Sequence, residues 1–239
     1  MKPSDLTLLL TRPRPAAERF AGELQAVTGP FAEVIVSPVL QIVPSGAFPD
    51  IPHTASVAFT SENAVAIAEG RLAPGRRAYC VGDRTAEAAR QAGFDAISAG
   101  GDADDLAALL AAQPPAGEVV HLSGAHQRGD LAERLAAAGL AARRETVYDQ
   151  APAPLSRAAR GALAGPRPVL LPLFSPRSAV LASAEAQVAR APLLLAALSP
   201  TVAAAWTGPE PAATATAAHP DAQALVGTIV RLVAAVQGA

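Results

Sequence analysis

Phe59-Thr60-Ser61-Glu62-Asn63-Ala64-Val65 follows a short apolar run, and the chain says nearly the same again at Phe174-Ser175-Pro176-Arg177-Ser178-Ala179-Val180, also after an apolar run. A second pair, Val81-Gly82-Asp83-Arg84-Thr85-Ala86 and Leu198-Ser199-Pro200-Thr201-Val202-Ala203, follows at nearly the same displacement. Two motifs kept in step this way predict two related domains. Each motif joins an apolar run to a hydroxyl or glycine and then to an Ala-rich stretch, the pattern of a buried strand feeding a helix start.

The alternation continues outward. Apolar runs predict strands at 6–11, 56–59, 77–81, 119–122, 169–174 and 193–198, and Ala-rich segments predict helices near 16–26, 63–69, 85–92, 102–110, 128–138, 178–189, 201–206 and 221–236. The unbroken apolar character of 6–11 suits a parallel sheet covered on both faces. Asp102, Asp104 and Asp105 suit the positive end of the helix they open. The fold class expected is α/β, as two doubly wound parallel-sheet domains.

Two segments break this rhythm. Residues 33–43 are β-branched and long, and residues 143–150 are strand-like before Pro152 and Pro154. Both read as extended crossings that pair into a two-stranded β ribbon. That reading makes a discontinuous α/β domain from residues 1–38 plus 153–239 and an inserted α/β domain from residues 39–152. A two-strand hinge permits the domains to rotate, with cleft closure as the natural motion.

Composition narrows the function classes. The 239 residues suffice for two domains, and 51% hydrophobic content supplies a core for each. A formal net charge of −2 offers no basic field for nucleic acid or an anionic membrane. Cys80, the single cysteine, sits in an apolar run and reads as a small buried hydrophobe; one cysteine allows no internal disulfide framework and suits the cytosol. Leu8-Leu9-Leu10 is too short for a signal-peptide core, and no apolar span reaches the ~18 residues of a membrane helix. A soluble, cytoplasmic monomer is the expectation.

Doubly wound sheets bind ligands beyond the carboxyl ends of their strands, where helix N-termini present free N–H groups. Thr60, Ser61, Asn63, Gly82, Thr85, Ser123, Gly124, Ser175, Ser178, Ser199 and Thr201 all fall at such ends. Singly, each hydroxyl reads as a helix cap, worth about 1 kcal/mol. Together, on two lobes facing across a cleft, they make a lining of small donors suited to a carboxylate-rich ligand. Arg12, Arg84, Arg128 and Arg177 lie near the same ends, as surface charges or as partners for such carboxylates.

Other chemistries lack their signatures. There is no dinucleotide fingerprint, no phosphate-binding loop with a lysine and no nucleophile elbow. His53, His121, His126 and His219 show no metal-ligand spacing, so no metal is expected. Tyr148 is the best candidate acid, one of two tyrosines and placed on a predicted crossing; the plain alternative is a packed strand tyrosine.

Taken in order, Leu9-Leu10-Thr11-Arg12-Pro13, Phe59-Thr60-Ser61 with Asn63-Ala64-Val65, Val81-Gly82 with Thr85-Ala86, Gly101-Asp102-Ala103, Leu122-Ser123-Gly124, Thr146-Val147-Tyr148, Phe174-Ser175-Pro176 with Ser178-Ala179, and Ser199-Pro200-Thr201 resemble the uroporphyrinogen-III synthase family across essentially the whole chain. Ser199 stands where the family usually has glycine, which weakens the contact assigned to Thr201 relative to Thr85. The resemblance implies two α/β lobes on a two-stranded ladder. It implies dehydrating cyclisation of hydroxymethylbilane, a linear tetrapyrrole, with inversion of ring D and no metal or organic cofactor. It implies Tyr148 as hydrogen-bond or proton donor to the leaving hydroxyl. Arg12, Thr60, Ser61, Asn63, Gly82, Thr85, Ser123, Gly124, Ser175, Ser178 and Thr201 would bind substrate.

On this reading the partner is the small-molecule substrate, with no nucleic acid and no membrane, and transient contact with the preceding pathway enzyme stays open. Two other readings share the fold: a cytoplasmic two-lobed sensor of small anions, and an inactive regulatory homologue.

Overall fold

The structure is a computed structural model that describes residues 2–126 and 130–237. Arg128 and the start of the helix expected at 128–138 lie outside the described residues. The chain begins with β1 (Thr7–Leu10), α1 (Arg14–Thr28), β2 (Glu33–Val36), β3 (Leu40–Pro44), β4 (Ser56–Phe59) and α2 (Glu62–Ala68). It continues through β5 (Arg77–Cys80), α3 (Asp83–Gln91), β6 (Asp95–Ser98), α4 (Ala103–Ala112), β7 (Val119–Gly124), α5 (Leu131–Ala137) and β8 (Ala142–Pro152). Last come α6 (Arg157–Ala164), β9 (Val169–Leu173), α7 (Pro176–Glu185), β10 (Leu193–Ala197), α8 (Pro200–Ala204), β11 (Ala213–Thr216) and α9 (Ala222–Gln237).

Two compact units result. One comprises Met1–Gln41 with Pro152–Ala239, the other Ile42–Ala151. We call them the split unit and the inserted unit. The split unit is built on a five-stranded sheet of order β11-β10-β9-β1-β2, whose strands pair in parallel. Strand alternation sends Leu8 and Leu10 to one face, with Phe20 and Leu24 of α1 and Leu225 and Ile229 of α9. Leu9 goes to the other face, with Leu171, Leu195, Leu163 of α6 and Ala179 of α7. Both faces are covered, which is why the strands are apolar without interruption.

The inserted unit has a six-stranded sheet of order β3-β8-β7-β4-β5-β6, with parallel pairing from β8 through β6. Val57, Phe59, Cys80, Val120 and Leu122 pack with Ala64 and Val65 of α2 and Ala86 and Ala89 of α3. Ala58, Tyr79 and Val119 point the other way, to Leu106 and Leu110 of α4 and Leu131 and Leu135 of α5.

The sheets share one winding. From β4 the chain lays β5 and β6 to one side, and from β7 it lays β8 to the other, so the β4/β7 boundary is a topological switch point. In the split unit β9 leads to β10 and β11 while β1 leads to β2, so the β1/β9 boundary is the equivalent. The repeated motifs lie at matching strands: Phe59 ends β4 and Phe174 follows β9, while Gly82 follows β5 and Ser199 follows β10.

Several expectations change. Residues 33–43 are not one extended crossing: Pro38 divides them, and β2 is an edge strand of the split unit's own sheet, parallel to β1. Only β3 pairs with β8. Nor is 143–150 a free ribbon, because most of β8 is a regular sheet strand bonded to β7 from Val119↔Ala142 to Gly124↔Tyr148. Two short edge strands, β6 and β11, add to the expected elements. Their sequences, Asp-Ala-Ile-Ser and Ala-Thr-Ala-Thr, lack the apolar run that marks a central strand. Helix α6 is a further addition, its buried stripe reduced to Ala159 and Leu163. No helix among the described residues is long and apolar enough to cross a membrane.

Candidate functional site

In the inserted unit the parallel strands bring their carboxyl ends to one edge. Thr60 and Ser61 follow β4, Gly82 follows β5, Ser123 and Gly124 end β7, and Tyr148 lies beside Gly124 on β8. Seven substrate-binding candidates (Thr60, Ser61, Asn63, Gly82, Thr85, Ser123 and Gly124) and Tyr148 therefore share one sheet edge.

Their environments differ. Ser61 is the N-cap of α2, with Oγ accepting the Asn63 N–H at 3.1 Å. The cap uses the oxygen and leaves the hydroxyl hydrogen for another partner. Gly82 caps α3 in an extended conformation without a side chain, so the first-turn N–H groups of that helix receive no side-chain cap. Thr85 stands in that turn and is buried. The next helix is closed by contrast: Asp102 Oδ1 accepts from the Asp104 and Asp105 N–H groups, and Asp105 Oδ2 accepts from the Asp102 N–H.

The switch point itself is polar. Thr60 Oγ1 lies 3.2 Å from His121 Nε2. Arg144 Nε donates to Ser123 Oγ at 2.7 Å, and its Nη2 donates to the Gly124 carbonyl at 2.7 Å. Period two explains the grouping: His121 and Ser123 share a face of β7, Ala58 pairs with His121, and Arg144 lies directly across from His121. Burial, with the Arg144 charge adding to it, pushes the His121 imidazole down to about 4, so it is neutral near pH 7.

Tyr148 belongs to the opposite face, among the buried residues around Phe59 and Leu122. The ladder slips between Ser123 and Gly124, and the Ala125 N–H donates to the Tyr148 carbonyl at 2.9 Å. A Cβ on Gly124 would stand 2.6 Å from the Tyr148 ring and 3.0 Å from its hydroxyl oxygen. Gly124 is thus required for ring packing, a different reason from the donor role expected of it. Among the described residues no hydrogen bond reaches the Tyr148 hydroxyl.

In the split unit, Arg12 follows β1, Ser175 and Ser178 begin α7, and Ser199 and Thr201 begin α8. The Arg12 guanidinium sits 4.2 Å from the Phe174 ring centroid, and Phe174 meets Phe20 edge-on at 4.9 Å. Ser175 Oγ accepts the Ser178 N–H at 3.2 Å, while the Ser178 hydroxyl reaches the Ser175 carbonyl at 3.0 Å and Ser175 Oγ at 2.8 Å. Ser199 is extended like Gly82, so serine costs nothing in backbone freedom there; its Oγ instead accepts the Val202 N–H at 3.3 Å. Thr201 is exposed at the second helical position, whereas buried Thr85 is at the third position of α3.

Sequence reasoning passes over two residues of the inserted unit's edge. His121 reads as structural because no metal spacing surrounds it. Arg144 reads only as part of a strand. The available signal is His-Leu-Ser in β7, which puts two polar groups on one face of an otherwise apolar strand.

The sequence was compared with known proteins. The model of the family described as HEM4, uroporphyrinogen-III synthase HemD, matches residues 21–227. The fold is similar to that of uroporphyrinogen-III synthetase from Helicobacter pylori 26695, at 16% identity and a TM-score of 0.64, covering 97% of this chain and 100% of that one. Wild-type uroporphyrinogen III synthase from the extremely thermophilic bacterium Thermus thermophilus is also matched, at 14% identity and a TM-score of 0.41, over 96% and 98% of the two chains, a superposition too loose to argue from. No curated protein matched by sequence.

Proposed function

Because the chain belongs to the uroporphyrinogen-III synthase family, we propose that it closes hydroxymethylbilane to uroporphyrinogen III with loss of water and inversion of ring D. The family match over residues 21–227 carries this reading. The enzyme is a cyclising lyase of tetrapyrrole biosynthesis, and the pyrrole nitrogens themselves supply the electrons that expel the hydroxyl. What remains for the protein is to help that hydroxyl leave and to hold the chain so that the spiro intermediate forms before closure.

Tyr148 is our candidate for the first task. Its O–H donates to the departing oxygen, which leaves as water, and the proton lost when the last pyrrole regains aromaticity returns the phenol to its starting state. Support comes from a ring seated on Gly124 and a hydroxyl uncommitted among the described residues. Thr60, Ser61, Asn63, Thr85, Ser123 and the N–H groups after Gly82 are assigned to substrate carboxylates. Arg12, Ser178 and Thr201 are assigned the same role on the split unit's edge, where Ser175 contributes mainly by fixing the start of α7. Donors at helix starts suit anions without a lysine-rich surface. A cytoplasmic setting belongs to the proposal. So does transient contact with the enzyme that supplies hydroxymethylbilane, since this substrate closes unaided to the uninverted isomer.

The test is incubation of the full chain with hydroxymethylbilane, oxidation of the product to porphyrin, and resolution of the isomers. The inverted isomer is expected. The uninverted isomer alone, at the uncatalysed rate, would overturn the assignment in favour of a binding or regulatory role.

A further inference from the structure

His121 does not touch the strand-end N–H groups, is not a metal ligand by spacing, and takes no part in the reaction scheme above. It is nevertheless 1% exposed and sits at the β4/β7 switch point with its Nε2 3.2 Å from Thr60 Oγ1. Its other ring nitrogen, Nδ1, is buried and has no partner among the described residues.

These facts select a tautomer. A neutral imidazole carries one N–H and one bare nitrogen. If the hydrogen were on Nδ1, the ring would bury an orphaned N–H close to the positive charge of Arg144, whose backbone lies directly across the ladder. Orphaned buried N–H groups are rarer and costlier than under-used acceptors, and a cation beside a bare lone pair is favourable where a cation beside an N–H is not. The hydrogen therefore belongs on Nε2. That N–H donates to Thr60 Oγ1, and the Thr60 hydroxyl hydrogen can no longer point back at the histidine.

We propose that His121 is a positioning residue which, by donating Nε2–H to Thr60 Oγ1, commits the half-buried Thr60 hydroxyl to donate outward to a substrate carboxylate. The proposal deepens the reading above and rests on it for the identity of the ligand. Arg144 supports it in two ways. Its guanidinium is fixed by Ser123 Oγ and the Gly124 carbonyl, and its charge adds to burial in keeping the ring neutral. An imidazole in the other tautomer would accept the Thr60 hydrogen and leave only a lone pair facing an anion, which repels it.

The test uses the full chain and hydroxymethylbilane. His121→Leu should raise KM about tenfold, the worth of one charge-assisted hydrogen bond, with a smaller change in kcat. His121→Gln, whose amide nitrogen approximates the Nε2 position, should recover most of the loss. Thr60→Val should match His121→Leu, and the double variant should be no worse than either. Additive effects, or an unchanged KM in folded His121→Leu, overturn the proposal. Nitrogen NMR of the histidine-labelled chain reads the tautomer without substrate or substitution: Nε2–H supports the proposal and Nδ1–H overturns it, even if His121→Leu does not fold. Failure of the wild-type chain to give the inverted isomer would remove the substrate assignment, while the tautomer result stands independently.

Discussion

Thr60 and Ser175 occupy the same place in the two copies of the repeat, one residue past a phenylalanine at a strand end, yet they do different work. Ser175 is the N-cap of α7, and its oxygen is taken by the Ser178 N–H and hydroxyl. In the inserted unit the helix starts one residue later, Ser61 caps α2, and Thr60 is left to meet His121. The same contrast holds at the next strand end, where Ser199 caps its helix and Gly82 brings no side chain. A one-residue shift of the helix start and a serine-to-glycine exchange thus separate an edge whose hydroxyls serve its own helices from an edge whose donors remain free for a ligand. Strand order alone does not make a site; the capping pattern at the strand ends decides which copy has groups to offer.

This comparison breaks first at Tyr148, which has no tyrosine counterpart in the split unit. Tyr148→Phe should lower single-turnover rate about a hundredfold, the low end for a general acid, with KM little changed. Unchanged turnover would return Tyr148 to packing. Gly124→Ala should produce at least that loss together with lower stability, because its Cβ overlaps the Tyr148 ring.

The buried imidazole sharpens the comparison through pH. The folded His121 titrates at about 4 against 6.5 for the free side chain. The unfolded chain therefore binds the proton first, and stability is lost as pH falls from 6.5 toward 4. By pH 5 the loss should be on the order of 2 kcal/mol relative to pH 7. Urea midpoints at the two pH values should show it, and His121→Gln should lack most of it. A smaller effect is expected at Asp102, whose two accepted N–H groups close α4. Asp102→Ala should cost about 1 kcal/mol in urea unfolding with KM unchanged. Smallest of all is Cys80: burial pushes its thiol up to about 12, so iodoacetamide should leave it unmodified in the folded chain and alkylate it in urea.

Much of this was legible beforehand, for physical reasons. Central strands such as Leu8-Leu9-Leu10 are apolar on both faces because helices cover both faces, and their ends are marked by the hydroxyls and glycine that start helices. The edges were less legible. Ala213-Thr214-Ala215-Thr216 needs only half its side chains buried, and Pro38 cuts a β-branched stretch whose halves join different sheets. The Thr60–His121 pair could not be read from spacing, because 61 residues separate two groups that only parallel pairing of β4 with β7 makes neighbours. Arg144 was hidden likewise, its register against His121 set by the β7–β8 ladder.

The most direct test sets the two equivalent hydroxyls against each other, measuring KM for hydroxymethylbilane and urea stability for Thr60→Val and Ser175→Ala in the full chain. Thr60→Val is predicted to raise KM about tenfold with little change in stability. Ser175→Ala is predicted to cost about 1 kcal/mol of stability with KM nearly unchanged. The reverse pattern, a kinetic loss at Ser175 and a purely structural loss at Thr60, would contradict the account.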